Sequence, residues 1–244
     1  MSDELARRFR LARKDRELVV LEGFHALKHA LRFGAEVLEA LATDPVAVAG
    51  LAEELAPDLA AELPGRVERV EEDVLAGLVP HAPRTGVVAI AKRPATDVAA
   101  TLADPREAPV VLLEDPRSMG NMGACVRVAA AADAAAVLTT GANDPWNPEA
   151  LRGAAGLHFA LPVAAVDALP DSDRPLVAID PEGQGLRPRD LPPRAVLAFG
   201  TERHGLSPGL LERADARLGI PMREGVSSLN LATAVAAVLF SQRL

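Results

Sequence analysis

Phe199-Gly200-Thr201-Glu202-Arg203-His204-Gly205-Leu206-Ser207, then Ile220-Pro221-Met222, then Ser227-Ser228-Leu229-Asn230-Leu231: these pieces of one run, Leu197 to Phe240, decide the fold. The first is an apolar strand that breaks into a polar turn between two glycines. The second is a strand that runs into proline. The third sets Ser and Asn at the mouth of an Ala-rich helix predicted over 228–241, with serine as the cap. Strand ends followed by small or polar residues suit the crevice at the carboxyl edge of a parallel sheet, where open α/β folds bind ligands. Glycine there turns the chain at positive φ and lets a ligand approach without a Cβ in the way.

Working outward, Val110-Val111-Leu112-Leu113 is the continuous apolar run of a strand buried on both faces. Further strands are predicted over 137–139, 177–179, 196–199 and 216–220, with helices over 121–132 and from 148 to about 154. This alternation implies a parallel sheet with helices on both sides. The first half repeats the alternation on a smaller scale. Strands are predicted over 18–21, 37–41, 66–70 and 86–91. Helices are predicted over 4–15, 24–33, 46–61 and 71–78, the third opened by Asp44-Pro45. Between the halves, residues 94–108 are polar, Ala-rich and carry Pro94 and Pro105, a pattern read as a linker. The expected organisation is 1–93, linker 94–108, and 109–244.

Composition narrows the function. Apolar residues make up 49% of the 244, so a core is available, and with 3% aromatics it must be built from Ala, Val and Leu. No apolar run reaches the roughly 18 residues of a membrane span, and no apolar signal core follows Met1, so a cytoplasmic protein with no membrane partner is expected. The single cysteine, Cys125, excludes a disulfide framework. His25 and His29 share a helix face without a third ligand, so no metal is expected. The net charge of −8 argues against non-specific nucleic-acid binding. The first sixteen residues nevertheless carry Arg7, Arg8, Arg10, Arg13, Lys14 and Arg16 against Asp3, Glu4 and Asp15. That cluster is either a phosphate-binding patch or a solvated helix face.

No G-x-G-x-x-G opens a βα unit and no G-x-x-x-x-G-K-S/T is present. The bound ligand is therefore not gripped by its phosphates, and a dehydrogenase is disfavoured. Asn121 and Arg127 lie six apart in one predicted helix. Set among Val126, Val128 and Ala129, Arg127 needs an anion nearby. A buried salt bridge to Glu202 or Glu114 and a catalytic role both satisfy the spacing.

Four motifs in register carry a resemblance: Asn121/Gly123/Arg127; Gly200/Glu202/Gly205/Leu206/Ser207; Ile220/Pro221/Met222; and Ser228/Leu229/Asn230. Over residues 109–244 the chain resembles the SpoU/TrmH family of RNA 2′-O-ribose methyltransferases, of the SPOUT superfamily. Residues 5–93, chiefly through Glu22-Gly23-Phe24-His25-Ala26-Leu27, resemble the ribosomal-protein-like substrate-binding domain that precedes it in many members. The Arg203-His204 pair departs from the smaller residues usual in that turn, which bears on substrate choice.

The resemblance implies an α/β methyltransferase domain with a C-terminal trefoil knot, a homodimer packed through the knot helices, and S-adenosyl-L-methionine as cofactor. It places the cofactor on the backbones around Gly200, Ile220 and Leu229, and the chemistry on Arg127, Asn121, Glu202, Ser228 and Asn230. The implied reaction is methyl transfer to a ribose 2′-hydroxyl of structured RNA, rRNA before tRNA because of the extra N-terminal domain. A different class, a non-catalytic RNA-binding or assembly protein retaining the fold, is separated from this by whether the chain binds the cofactor.

Overall fold

Short apolar runs become strands and the stretches between them helices, in two units. The computed structural model describes residues 2–187, 190–201 and 204–241. The first unit takes in the chain up to Ala95 together with residues 155–160; the second takes in 96–154 and 161–244.

The first unit contains α1 (Ser2–Ala12), β1 (Leu18–Glu22), α2 (Phe24–Arg32), β2 (Val37–Ala42), α3 (Pro45–Leu55), β3 (Glu68–Arg69), α4 (Glu72–Leu78) and β4 (Val87–Lys92). Its sheet runs β1-β4-β2-β3. β4 is antiparallel to β1 and β2, and β3 is parallel to β2. Phe9, Val20, Leu41, Leu75, Leu78 and Val88 form a core on one face. Asp44 caps α3 by accepting from the Val46 and Ala47 N–H groups. That helix stops at Leu55 rather than continuing to Ala61, because Pro57 disfavours helical geometry at Ala56. Two 3₁₀ turns follow instead, Pro57–Leu59 and Leu63–Arg66.

The segment 155–160 packs on α2 within this unit. Gly156, at φ +77, comes so close that a Cβ there would lie 2.6 Å from Ala26 Cα. His29 Nδ1 lies 2.6 Å from the Ala155 carbonyl. A carbonyl only accepts, so this nitrogen carries the proton. Burial pushes the His29 imidazole below its ordinary value; the Ala155 bond opposes this, and Lys28, Arg32 and His25 reinforce it.

The second unit contains α5 (Val98–Ala103), β5 (Val110–Leu113), α6 (Met119–Ala131), β6 (Ala136–Thr139), α7 (Pro148–Gly153), β7 (Val163–Ala165), β8 (Leu176–Gly185), β9 (Val196–Phe199), α8 (Pro208–Arg213), β10 (Ala216–Gly219) and α9 (Leu231–Ser241). Six parallel strands run β10-β8-β9-β5-β6-β7. The chain works outward from β5 to β7, then returns to place β9 on the other side of β5. That reversal is a topological switch point. Every residue of β5, β6 and β9 is buried.

Residues 98–103, inside the stretch read as a linker, form α5 with Leu102 buried against this sheet. Arg174 explains the attachment. It is 4% exposed and donates to the carbonyls of Leu102 (2.8 Å), Ala108 (2.9 Å), Asp104 (2.9 Å), Arg194 (3.2 Å) and Thr101 (3.5 Å). A guanidinium bonded in this way caps the carboxyl end of α5 without any carboxylate. Strand β8 runs past the predicted Ile179 to Gly185 because β10 continues beside it; a Cβ on Gly183 would lie 2.6 Å from Leu218 N.

Candidate functional site

The carboxyl ends of β8, β9 and β10 meet the start of α9. After Phe199 the chain doubles back: Thr201 and Gly205 exchange both backbone hydrogen bonds at 3.0 Å, with Gly205 at φ +65. A Cβ on Gly200 would lie 2.0 Å from the Gly205 carbonyl carbon. Gly200 is thus required by this fold-back rather than by an approaching ligand. Ser207 ends the turn and caps α8 by accepting from Leu210 N. It is clasped to the end of β5: its N–H donates to Glu114 Oε2 at 2.7 Å and its hydroxyl to Glu114 Oε1 at 2.6 Å.

The segment after β10 runs through Ile220-Pro221-Met222 to Asn230 without regular structure. Helix α9 begins at Leu231, not Ser228, since Asn230 takes the capping position ahead of the serines. Its Oδ1 accepts from Ala232 N (3.0 Å) and Thr233 N (3.3 Å). That fixes the amide's orientation, and Nδ2 donates to Asn121 Oδ1 at 3.0 Å. Asn121 sits in the first turn of α6, whose cap is Ser118. The two motif asparagines therefore tie the starts of α6 and α9 together.

These loops enclose a cavity of about 330 Å³. Phe199, Ile220, Met222 and Leu229 supply apolar wall; Thr201, Ser228 and Asp180 supply polar groups. A neighbouring cleft of about 520 Å³ shares Thr201 and Leu231 with it and is bordered by Asn121, Arg117 and His204. Of the expected residues, Gly200, Ile220, Leu229 and Ser228 line the cavity, and Asn121 lines the cleft. Glu202 and Arg203 lie outside the described residues.

Arg127 is placed differently. The buried face of α6 is Met122, Cys125, Val126 and Ala129, an i, i+3, i+4, i+7 stripe. Arg127 falls off that stripe and is exposed. It does not line the cavity, and among the described residues it has no ion-pair partner. Neighbours in sequence on a helix are not neighbours in space, so a buried bridge to Glu114 does not form; Glu114 is occupied by Ser207. From Asn121, Arg127 is about 9 Å further along the helix and about 120° around it.

Sequence reasoning also missed Asp180, and it offered Glu114 as a partner for Arg127 rather than for Ser207. Both are acidic residues immediately following buried strand segments, a signal that was readable as polar groups at a sheet's carboxyl edge. Gly123 serves packing: a Cβ there would lie 2.1 Å from the Ala150 carbonyl oxygen, so it permits α7 to approach α6. Among the described residues no helix is long and apolar enough to cross a membrane.

Comparison with known proteins bears on the family and the fold. Residues 108–240 match the model of the SpoU rRNA methylase family, and residues 20–96 match that of the RNA 2′-O ribose methyltransferase substrate-binding domain. An uncharacterized tRNA/rRNA methyltransferase of Synechocystis sp. is 34% identical over 140 residues, 54% of this chain and 50% of that protein. The 23S rRNA (uridine(2479)-2′-O)-methyltransferase of Streptomyces viridochromogenes is 28% identical over 229 residues, 86% of this chain and 70% of that one. The chain spans half the length of the Synechocystis relative and 65% of a mycobacterial one. The crystal structure of the SpoU methyltransferase AviRb from Streptomyces viridochromogenes in complex with AdoMet superposes with a TM-score of 0.76, at 25% identity, over 96% of both chains. The family model alone covers more than half of the sequence, and the chain belongs to the SpoU rRNA methylase family.

Proposed function

We propose that this protein transfers a methyl group from S-adenosyl-L-methionine to a ribose 2′-hydroxyl of structured RNA, rRNA in preference to tRNA. The observation that carries this is the cavity at the ends of β8, β9 and β10, with the Asn121–Asn230 pair beside it. Its volume lies at the lower end of the range for small-molecule sites, and its mix of apolar wall and few polar groups fits a nucleoside. When bound, the cofactor supplies a methyl carbon whose bond to sulfur breaks as its bond to the ribose oxygen forms, the electron pair returning to sulfur.

The chain's own residues position and stabilise. The backbones around Gly200, Ile220 and Leu229 hold the cofactor, and Ser228, Asn121, Asn230 and Glu202 orient the acceptor. Arginine is a permanent cation in proteins and does not serve as the base. Arg127, exposed on α6, grips an RNA phosphate and offsets the charge developing on the hydroxyl oxygen, whose proton leaves to solvent. Residues 1–93 bind the RNA. The clasped turn at 200–207 and the return of the last segment to α6 support a C-terminal trefoil knot. The outward face of α9, Thr233, Ala237 and Phe240, is uncharged and exposed, which supports a homodimer. The bacterial rRNA methyltransferases among its relatives support a cytoplasmic location.

Titration calorimetry with S-adenosylmethionine and transfer of radiolabelled methyl groups to rRNA and tRNA test this reading. Arg127→Ala is expected to lower turnover about 10²–10³-fold with cofactor affinity unchanged. Normal methylation by that variant defeats the role of Arg127. Failure of the native chain to bind the cofactor leaves the non-catalytic reading.

A further inference from the structure

Asp180 stands where β8 leaves its pairing with β9 at Ile179. It is 8% exposed and borders both the 330 Å³ cavity and a neighbouring groove of about 700 Å³. A carboxylate this buried is costly unless its charge is met. Its Oδ1 meets that condition by accepting from Glu182 N and Arg217 Nη2, both at 2.8 Å. Arg217 Nη2 donates to Glu182 Oε2 as well, at 2.8 Å, and these hydrogen bonds hold its guanidinium above the ordinary arginine value. The other oxygen, Oδ2, accepts no hydrogen bond among the described residues. It lies on the side of Gly205, where an added Cβ would come within 3.8 Å of it. Gly205 lines the same cavity.

We propose that Asp180 Oδ2 accepts hydrogen bonds from the ribose diol of the bound cofactor and fixes its nucleoside end. The proposal rests on the cofactor reading above and adds a specificity residue to it. On the cofactor reading above, the acceptor enters by the cleft next to the cavity, which holds Asn121 and shares Thr201 and Leu231 with the cavity but not Asp180. The methyl-donating end, which carries the ammonium, then lies away from Asp180 and the nucleoside end toward it. Oδ2 can only accept, which suits a pair of neutral hydroxyls. An acidic side chain on ribose hydroxyls serves dinucleotide folds in the same way.

The test is a cycle between side chain and ligand, read by calorimetry. The ligands are S-adenosylmethionine, 5′-methylthioadenosine, which lacks the amino-acid end, and the 2′,3′-dideoxy form of methylthioadenosine. The native chain is expected to prefer methylthioadenosine over its dideoxy form by about tenfold or more. Asp180→Asn keeps the shape and the Oδ1 contacts but puts a donor in place of Oδ2. It is expected to weaken S-adenosylmethionine and methylthioadenosine by the same factor and to erase the preference for the diol. Loss confined to S-adenosylmethionine, or a diol preference that survives in Asp180→Asn, overturns the proposal. If Asp180→Asn fails to fold, the native chain still decides: equal affinity for the two nucleosides overturns it. Binding of no ligand by the native chain overturns the cofactor reading itself.

Discussion

The two edges of the six-stranded sheet treat polar groups in opposite ways. At the amino edge, Arg174 gives its donors to backbone carbonyls, and Asp215 accepts from the N–H of Leu176 at the start of β8. Those groups serve the fold itself. At the carboxyl edge, Ser228, Thr201 and one oxygen of Asp180 face a cavity, while Glu114–Ser207, Asn121–Asn230 and Asp180–Arg217 close on each other. Two arginines show the contrast most plainly. Arg174 is buried and fully engaged; Arg127 is exposed and pairs with no described carboxylate. An arginine within a folded interior is a fastener, whereas one held in solvent is available to a ligand.

The contrast can be broken at its strongest point first. Arg174→Met should cost on the order of 3–5 kcal/mol, because several buried carbonyls lose their donor together. Urea unfolding measures this, and the protein that remains folded should bind cofactor with native affinity. A cost below about 1 kcal/mol would mean that water replaces the guanidinium and that the amino edge is not sealed.

The carboxyl edge gives a smaller effect with a sharper division. Asn230→Ala removes both the cap and the tie to Asn121, and about 1–2 kcal/mol of stability should go with the cap. Asn230→Asp retains an acceptor for the Ala232 and Thr233 N–H groups but sets a carboxylate oxygen against Asn121 Oδ1. It should keep most of the thermal stability and still lose cofactor affinity. Equal melting and equal affinity in Asn230→Asp would show that the tie between α6 and α9 is incidental.

The smallest effect lies in the first unit. The folded-state value of His29 is below that of an unfolded histidine, so the unfolded chain binds more protons in the window beneath about 6.5. The stabilisation is complete above that pH and is lost as pH falls through the lowered folded value. The protection of α2 amides, taken as the intrinsic exchange rate at each pH over the observed rate, should fall between pH 7.5 and 5.5 in the native chain, and His29→Gln should flatten the dependence. An unchanged slope in His29→Gln would assign the effect to another group.

Much of this was legible in the sequence. The buried strands at 110–113 and 196–199, the Asp44 cap and the order of the motifs follow from periodicity and short-range chemistry. What escaped involves partners far apart in the chain. Arg174 meets carbonyls some 70 residues upstream, which no local pattern announces, so residues 98–103 looked unattached. Glu114 and Ser207 are 93 residues apart. Strand β7 is three residues long and carries no strong alternation. The buried salt bridge offered for Arg127 as one alternative rests on its neighbours' apolarity, although the helical stripe through Met122, Cys125, Val126 and Ala129 already excludes it.

The six residues 155–160 have a consequence for synthesis. They complete the packing of α2, yet they leave the ribosome some sixty residues after Ala95. The amino-terminal unit therefore reaches its final form only when part of the second unit has been made. A chimera joined at residue 95 would separate the two, and grafting this unit elsewhere requires carrying the later hexapeptide along with it.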